Sequence, residues 1–500
     1  MINGEEDAAR SRTPAPGWMA LKWNYIGNFT RSFSQFAIGI LLARLLGPEP
    51  FGIVAVAWII LGVGNLFADL GFGAALVQRA SLSTSDLRFI FTCQMMFSSL
   101  LTLAGVLASE SIAAYFHKPE AALVIKAMFF LFIFQSLGQT AGAMLRRSMN
   151  FKTLQQITIV SYLAGYLGVG VPAALLGFGV WSLVAAQSIQ ALLNSLLLIR
   201  ASAVPIGLCF TAGDPDIVRY GLKVTAANLS SWSISNLDVV FIGRAFGIVE
   251  LGLYNRALNL VNMPMSIITT GFQGVLFAAC ARAQRDIAVI RRIYLETNAA
   301  VAILCFPIFL TVAVVPETLV LALYGPQWHA SVPVVTPLAL AVLVNALLAI
   351  KGPILMAGNR VGLELRNQVC TVVMFVPALF IAIHYSMVAV AWAVLATYVA
   401  RWLLLAVDTL RLTGAALGEY AATFRMPILF GVCVSATAAL ADRALFFLAP
   451  FARLTAVAAL AAIVLLGLVR LCGGRFLKSY LGTLVETSRL SGTVRKLLNV

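Results

Sequence analysis

Leu42-Ala43-Arg44-Leu45-Leu46-Gly47-Pro48-Glu49-Pro50-Phe51-Gly52 returns 200 residues later as Ile242-Gly243-Arg244-Ala245-Phe246-Gly247-Ile248-Val249-Glu250-Leu251-Gly252. Arg and two Gly keep their places, and the offset continues on both sides. Upstream, Asn28-Phe29-Thr30 returns as Asn228-Leu229-Ser230; downstream, Gly71-Phe72 returns as Gly271-Phe272. An ungapped repeat inside apolar sequence is the mark of a membrane protein built from two related halves, the plan of many transporters.

The composition agrees. Hydrophobic residues make up 61% and charged residues 11% of the 500, too apolar for a soluble globule. Runs of roughly 20 apolar residues follow one another, each long enough as a helix to cross about 30 Å of hydrocarbon. Strict alternation is absent, which argues against a barrel. The sequence predicts an all-α polytopic membrane protein with fourteen transmembrane helices, the first near 23–46, the eleventh near 366–386 and the last near 453–472. Pro316 to Tyr324 reads as a short extension of the ninth.

Basic residues orient the chain. With the N-terminus on the cytoplasmic side, 27 of the 35 Lys and Arg fall inside and seven outside, so both termini are expected to be cytoplasmic. Helices 1 to 6 match helices 7 to 12, and six is even, so the halves are parallel repeats about an axis along the membrane normal. The expected domains are a cytoplasmic tail (1–22), an N-lobe (23–200), a linker (201–216), a C-lobe (217–410), an extra helix pair (411–472) and a basic cytoplasmic tail (473–500). That last segment is read either as resting on the anionic inner leaflet or as a plain positive-inside tail.

Charges inside spans are expensive and so point to protein interior or to a wet cavity. Arg31, Asp69, Asp238, Arg256, Lys351 and Arg401 qualify. Arg31 and Asp69 fall at similar depth, as do Asp238 and Arg256, so each couple is a candidate ion pair, either fastening helices or serving cargo and coupling ions. Lys351 and Arg401 have no obvious carboxylate at matching depth. Four cations against two anions suit an anionic cargo, with Arg31, Lys351 and Arg401 as candidate diphosphate contacts. Asn28 and Gln35 on a polar first helix, together with Asn65, Gln94, Gln135 and Gln139, suggest a lumen that binds hydroxyl groups or, equally, helix-to-helix hydrogen bonds.

Other chemistries find little support. The seven cysteines are dispersed without metal spacing, and His117, His329 and His384 never cluster. No GxxxxGK[ST] loop occurs. No cofactor, metal or nucleic-acid partner is expected, nor is enzymatic activity.

Ile40 to Gly52, then Phe67-Ala68-Asp69-Leu70-Gly71-Phe72-Gly73 with Leu76-Val77-Gln78-Arg79, resemble the Wzx-type polysaccharide flippases of the colanic-acid and exopolysaccharide branch. So do Leu251-Gly252-Leu253-Tyr254-Asn255-Arg256-Ala257 with Asn262-Met263-Pro264, and Leu176-Gly177-Phe178-Gly179-Val180-Trp181. The resemblance covers about residues 18 to 410. It implies membership of the multidrug/oligosaccharidyl-lipid/polysaccharide exporter superfamily, whose two six-helix lobes form a V-shaped cavity. It further implies carriage of undecaprenyl-diphosphate-linked oligosaccharide across a bacterial inner membrane by alternating access. Membrane lipids, polysaccharide polymerase and chain-length machinery are the implied partners, and the extra helix pair could form a groove for the polyprenyl tail. A multidrug or cation antiporter of the same superfamily is the rival reading; a membrane-embedded polymerase or ligase fits the short outer loops poorly.

Overall fold

The computed structural model describes residues 17–78, 82–202, 204, 207–209, 215–282, 286–357 and 361–487. Most of the expected N-terminal tail, much of the 201–216 linker and the end of the C-terminal tail lie outside these residues. Every regular element among the described residues is helical. Eleven segments are long and apolar enough to cross a membrane, and they fall where the sequence places its second to sixth and ninth to fourteenth spans. The helices Gly17–Leu46, Pro215–Ala245 and Ile248–Arg282, at the first, seventh and eighth places, are as long but are not among the eleven.

The chain divides into two compact units, 1–233 and 234–500. Unit 1 holds α1 (Gly17–Leu46), α2 (Pro48–Asp69), α3 (Phe72–Gln78), α4 (Thr84–Tyr115), α5 (Ala122–Phe129), α6 (Leu131–Arg147), α7 (Phe151–Tyr162), a π-helical stretch (Leu163–Gly170), α8 (Val171–Leu175) and α9 (Val180–Ser202). The division falls inside α10 (Pro215–Ala245), not in the linker. Glycine is the reason. A Cβ on Gly221 would lie 2.1 Å from the Leu70 carbonyl oxygen, and one on Gly62 2.4 Å from Trp232 Nε1. Two missing side chains thus let the first half of α10 lie against α2 and the turn that ends it.

Unit 2 continues with α11 (Ile248–Arg282), α12 (Ile287–Val314), α13 (Pro316–Leu323), α14 (Val332–Leu348), α15 (Lys351–Ala357), α16 (Val361–Ala382), α17 (Met387–Thr413), α18 (Leu417–Ala444) and α19 (Pro450–Thr487). The helix pair without a counterpart is fastened to α12. Asn298 Nδ2 donates to Thr423 Oγ1 at 2.8 Å, Arg291 pairs with Glu419, and a Cβ on Gly431 would meet Leu310 and Phe306 at 2.9 and 3.0 Å. Asp442 joins α13, α18 and α19 by accepting from Thr318 Oγ1 and Arg453 Nη2, both at 2.6 Å. No break separates the last span from the basic tail at 472: α19 runs on to Thr487, 38 residues or about 57 Å at 1.5 Å per residue.

The repeat shows in the backbone. Gly47 and Gly247 sit at φ 73° and 99° between α1 and α2 and between α10 and α11, a left-handed turn that disfavours any residue with a Cβ. The first turn is also closed by charge. Lys118 bridges Glu49 and Glu120 at 2.8 and 3.1 Å, and these hydrogen bonds hold its ammonium above the usual lysine range.

Candidate functional site

Asp69 ends α2, where Leu70 (φ 46°) and Gly71 (φ 68°) turn the chain into α3. Its Oδ1 accepts from the Gly73 backbone N–H at 3.2 Å and from Gln94 Nε2 at 3.0 Å, and Gln94 Oε1 accepts from Thr140 Oγ1 at 2.7 Å. Gln94 and Thr140 are buried, so the carboxylate anchors a dry relay from α2 through α4 to α6. The expected pair with Arg31 does not form. Equal depth says nothing about rotation around a helix, and Asp69 is committed to the donors nearest its own turn.

Arg31 is half-buried on α1, and its Nε has no hydrogen-bond partner. Among the described residues no carboxylate pairs with it. Asn28 Nδ2 donates to Asn24 Oδ1 at 3.1 Å, and Gln155 Nε2 on α7 donates to the same oxygen at 3.0 Å, so Asn28 belongs to a helix-fastening amide cluster. Gln35 is exposed.

Beside the relay lies a cavity of about 330 Å³, wholly within unit 1 and walled by α6, α7 and α9. Gln135 and Gln139 on α6 face it with Gln187, Gln190 and Asn194 on α9, and Arg146 stands exposed at its edge. Spacings of three and four residues put each set on one helix face. Gln139 Oε1 and Asn194 Oδ1 are buried without a hydrogen-bond partner. Gln187 is held from behind: its Oε1 accepts from Trp58 Nε1 at 2.6 Å and from the Tyr166 hydroxyl at 3.5 Å. Tyr166 belongs to the π-helical stretch and stacks on Tyr162 with ring centroids 4.7 Å apart. Gln135 and Gln139 carry a visible sequence signal as polar residues in an apolar span. In sequence Arg146 carries only the signal of a loop-side positive charge, and the α9 carboxamides sit among leucines.

In unit 2, Asp238 takes a 2.6 Å hydrogen bond from the Tyr254 hydroxyl, and its Oδ1 has no partner. It makes no ion pair with Arg256. Tyr254, two residues before Arg256 on α11, takes that place instead, and the Arg256 carbonyl accepts from Tyr324 Oη at 3.4 Å. Lys351 neither reaches the interface nor lines open space. It is 0% exposed, its Nζ donates to the Trp402 carbonyl at 3.0 Å, and it lies over the rings of Trp402 and Tyr420 at 4.8 and 5.6 Å. Arg401 does have a carboxylate: its Nη2 lies 3.4 Å from Glu364 Oε1, which also accepts from Gln368, while Arg401 Nε keeps no partner. Glu364 falls before the eleventh span expected near 366–386, because α16 begins at Val361, five residues earlier. Lys351 and Arg401 therefore flank one residue, Trp402, on different partners, and Arg31 belongs to the other unit.

Comparison with known proteins places this geometry. A family profile described as "Polysaccharide biosynthesis protein" matches residues 41–333. The teichuronic acid biosynthesis protein TuaB of Bacillus subtilis (strain 168) is 27% identical over 428 residues, covering 83% of this chain and 88% of that one. The lipopolysaccharide biosynthesis protein WzxC of Escherichia coli (strain K12) is 26% identical over 348 residues, 68% of this chain and 70% of that one. In fold, the chain is similar to the lipid II flippase MurJ in an inward closed conformation, with a TM-score of 0.73 at 12% identity over 93% of this chain and 99% of that one.

Proposed function

The chain belongs to the polysaccharide biosynthesis protein family, and from that premise we propose that it is a flippase for undecaprenyl-diphosphate-linked oligosaccharide in the bacterial inner membrane, with both termini cytoplasmic. The observation that carries the reading is the family match itself, which spans parts of both units of an apolar multi-pass chain. Its relatives include proteins named for teichuronic acid and lipopolysaccharide biosynthesis, and its fold neighbour is a lipid II flippase. The work required is displacement of a polar headgroup through hydrocarbon, which breaks no covalent bond, so a transporter and not an enzyme is the reading that fits.

Arg31 is the diphosphate contact the geometry supports best, since no carboxylate among the described residues pairs with its guanidinium, which can meet phosphate oxygens through two donors. Arg401 joins it only where Glu364 gives way, and Lys351 only if its cage of rings opens. Asp69, Asp238 and Arg256 are assigned to holding helices. Polysaccharide polymerase and chain-length machinery are the proposed partners downstream.

The test is reconstitution. Proteoliposomes carrying undecaprenyl-diphosphate-linked oligosaccharide in the inner leaflet should expose sugar to an added lectin at a rate that depends on the protein. Arg31→Gln should slow that rate about tenfold or more, the worth of one charge-assisted contact, at normal abundance, and Arg31→Lys should recover part of it. Protein-dependent efflux of cationic drugs without sugar exposure would establish the antiporter reading instead.

A further inference from the structure

The cavity in unit 1 is built for a ligand whose chemistry its walls define. Five carboxamides line it, those of Gln135, Gln139, Gln187, Gln190 and Asn194, each carrying a donor and an acceptor on one planar group. A sugar hydroxyl also donates and accepts, so carboxamides match it in either sense. The same walls reject other guests. Among the described residues no carboxylate lines the cavity, which leaves a metal or organic cation without a counter-charge there. Arg146 is the one cation among the described lining residues and stands exposed at the edge, which gives a phosphate one charge where it would be drawn by several.

Two walls look incomplete. Gln139 Oε1 and Asn194 Oδ1 are buried acceptors without a partner, shielded from the cavity as the side chains stand, so each carboxamide gains a hydrogen bond by turning toward a donor placed in the cavity. Gln187 is the reverse case: Trp58 and Tyr166 occupy its oxygen, which fixes the carboxamide and leaves its Nε2 to donate. The floor is bare backbone. Gly142 lines the cavity, and a Cβ there would have only ordinary contact, 3.5 Å from Leu198. A volume of about 330 Å³ is at the small end of ligand pockets, which suits one sugar ring and not a chain of them.

We propose that this cavity is a glycan subsite, binding one neutral sugar ring of the carried oligosaccharide through the carboxamides of α6 and α9. The inference rests on the flippase reading for the identity of its ligand. It divides the recognition between a guanidinium for the diphosphate and uncharged amides for the sugar.

Gly142→Leu is the chosen variant, because it fills the floor, leaves all five carboxamides in place and puts a strong helix former where a glycine stood. Asn194→Leu is the second, removing one unpartnered acceptor. Binding of methyl glycosides of neutral hexoses to purified full-length protein is measured by saturation-transfer NMR, and sugar exposure in proteoliposomes alongside it. The expected result is glycoside binding by the wild type, weakened about tenfold or more in both variants, at unchanged thermal stability. If the wild type binds none of the glycosides, or Gly142→Leu binds them as well as the wild type, the subsite is overturned whether or not transport occurs. If the wild type fails to flip lipid-linked oligosaccharide yet binds glycosides in a Gly142-dependent way, the subsite stands and the flippase reading is the one lost. Should Gly142→Leu lower stability, Asn194→Leu alone decides between these outcomes.

Discussion

Asp69 and Lys351 show how a charge inside a span can be held without a salt bridge. Asp69 is neutralised by donors: the Gly73 amide and the Gln94 carboxamide both reach its Oδ1. Hydrogen bonds to a charged group contribute about 1.5 to 3 kcal/mol each. Asp69→Ala should therefore lower thermal stability in detergent by a few degrees or more and free the Leu70–Gly71 turn. Exchanging the residues, Arg31→Asp with Asp69→Arg, should rescue nothing, since the two are not partners; full recovery in the double variant would sink this assignment. Lys351 is neutralised by rings and a carbonyl. Replacing a buried charge with an apolar side chain of similar volume is often neutral or stabilising, whereas truncation leaves a hole. Lys351→Met should keep wild-type stability, and Lys351→Ala should lose about 2 kcal/mol or more. If Lys351→Met unfolds the protein, the ammonium matters to the fold in a way packing does not explain.

At the scale of elements, glycines decide where helices stop and how closely they cross. Gly71 and Gly177 both have positive φ, at 68° and 84°, yet their surroundings differ. A Cβ on Gly71 would stand 2.5 Å from the Gly221 carbonyl oxygen, while one on Gly177 would meet nothing within 4 Å. Backbone strain alone costs about 1 to 2 kcal/mol. Gly177→Ala should cost about that much by thermal melting, and Gly71→Ala clearly more, because α2 and α10 must also move apart; equal losses would show that the close crossing carries no weight. These turns were legible in the sequence. Positive φ favours glycine, which has no Cβ to clash, so the repeat of Gly47 at Gly247 survives in the letters, although Leu70 adopts such a φ without it. What could not be read is rotation about the helix axis. Depth along a span follows from counting residues, and it brought Asp69 level with Arg31, but only packing turns Asp69 toward Gln94. Glu364 lies outside the expected span because α16 begins five residues early, and Gln187, Gln190 and Asn194 do not stand out because three carboxamides on a leucine-rich helix resemble ordinary helix-to-helix bonding.

For the whole molecule, the charge pattern predicts more than any single contact. The sequence count puts 27 of 35 basic residues on one side, and setting aside Lys351 and Arg401, which lie in the protein interior, still leaves an arrangement expected to rest on many small preferences that no one substitution reverses. The described structure supplies suitable reporters for it. Gly177 lies in the turn after α8, with open space around it, and His384 in the exposed turn after α16. In a background cleared of the seven native cysteines, single cysteines at these two positions should react with an impermeant maleimide added to intact cells. Ser83, the N-cap of α4, should react only after the membrane is opened. So should Ala212 and Leu490, which lie outside the described residues and are placed by charge alone. The decisive position is Ala212. The sequence predicts six spans in each repeat, so the junction between them is expected to return to the side on which the chain began. Labelling at Ala212 from outside would mean an odd number of spans before it and inverted rather than parallel halves, and the shared turns at Gly47 and Gly247 would then face opposite sides of the membrane.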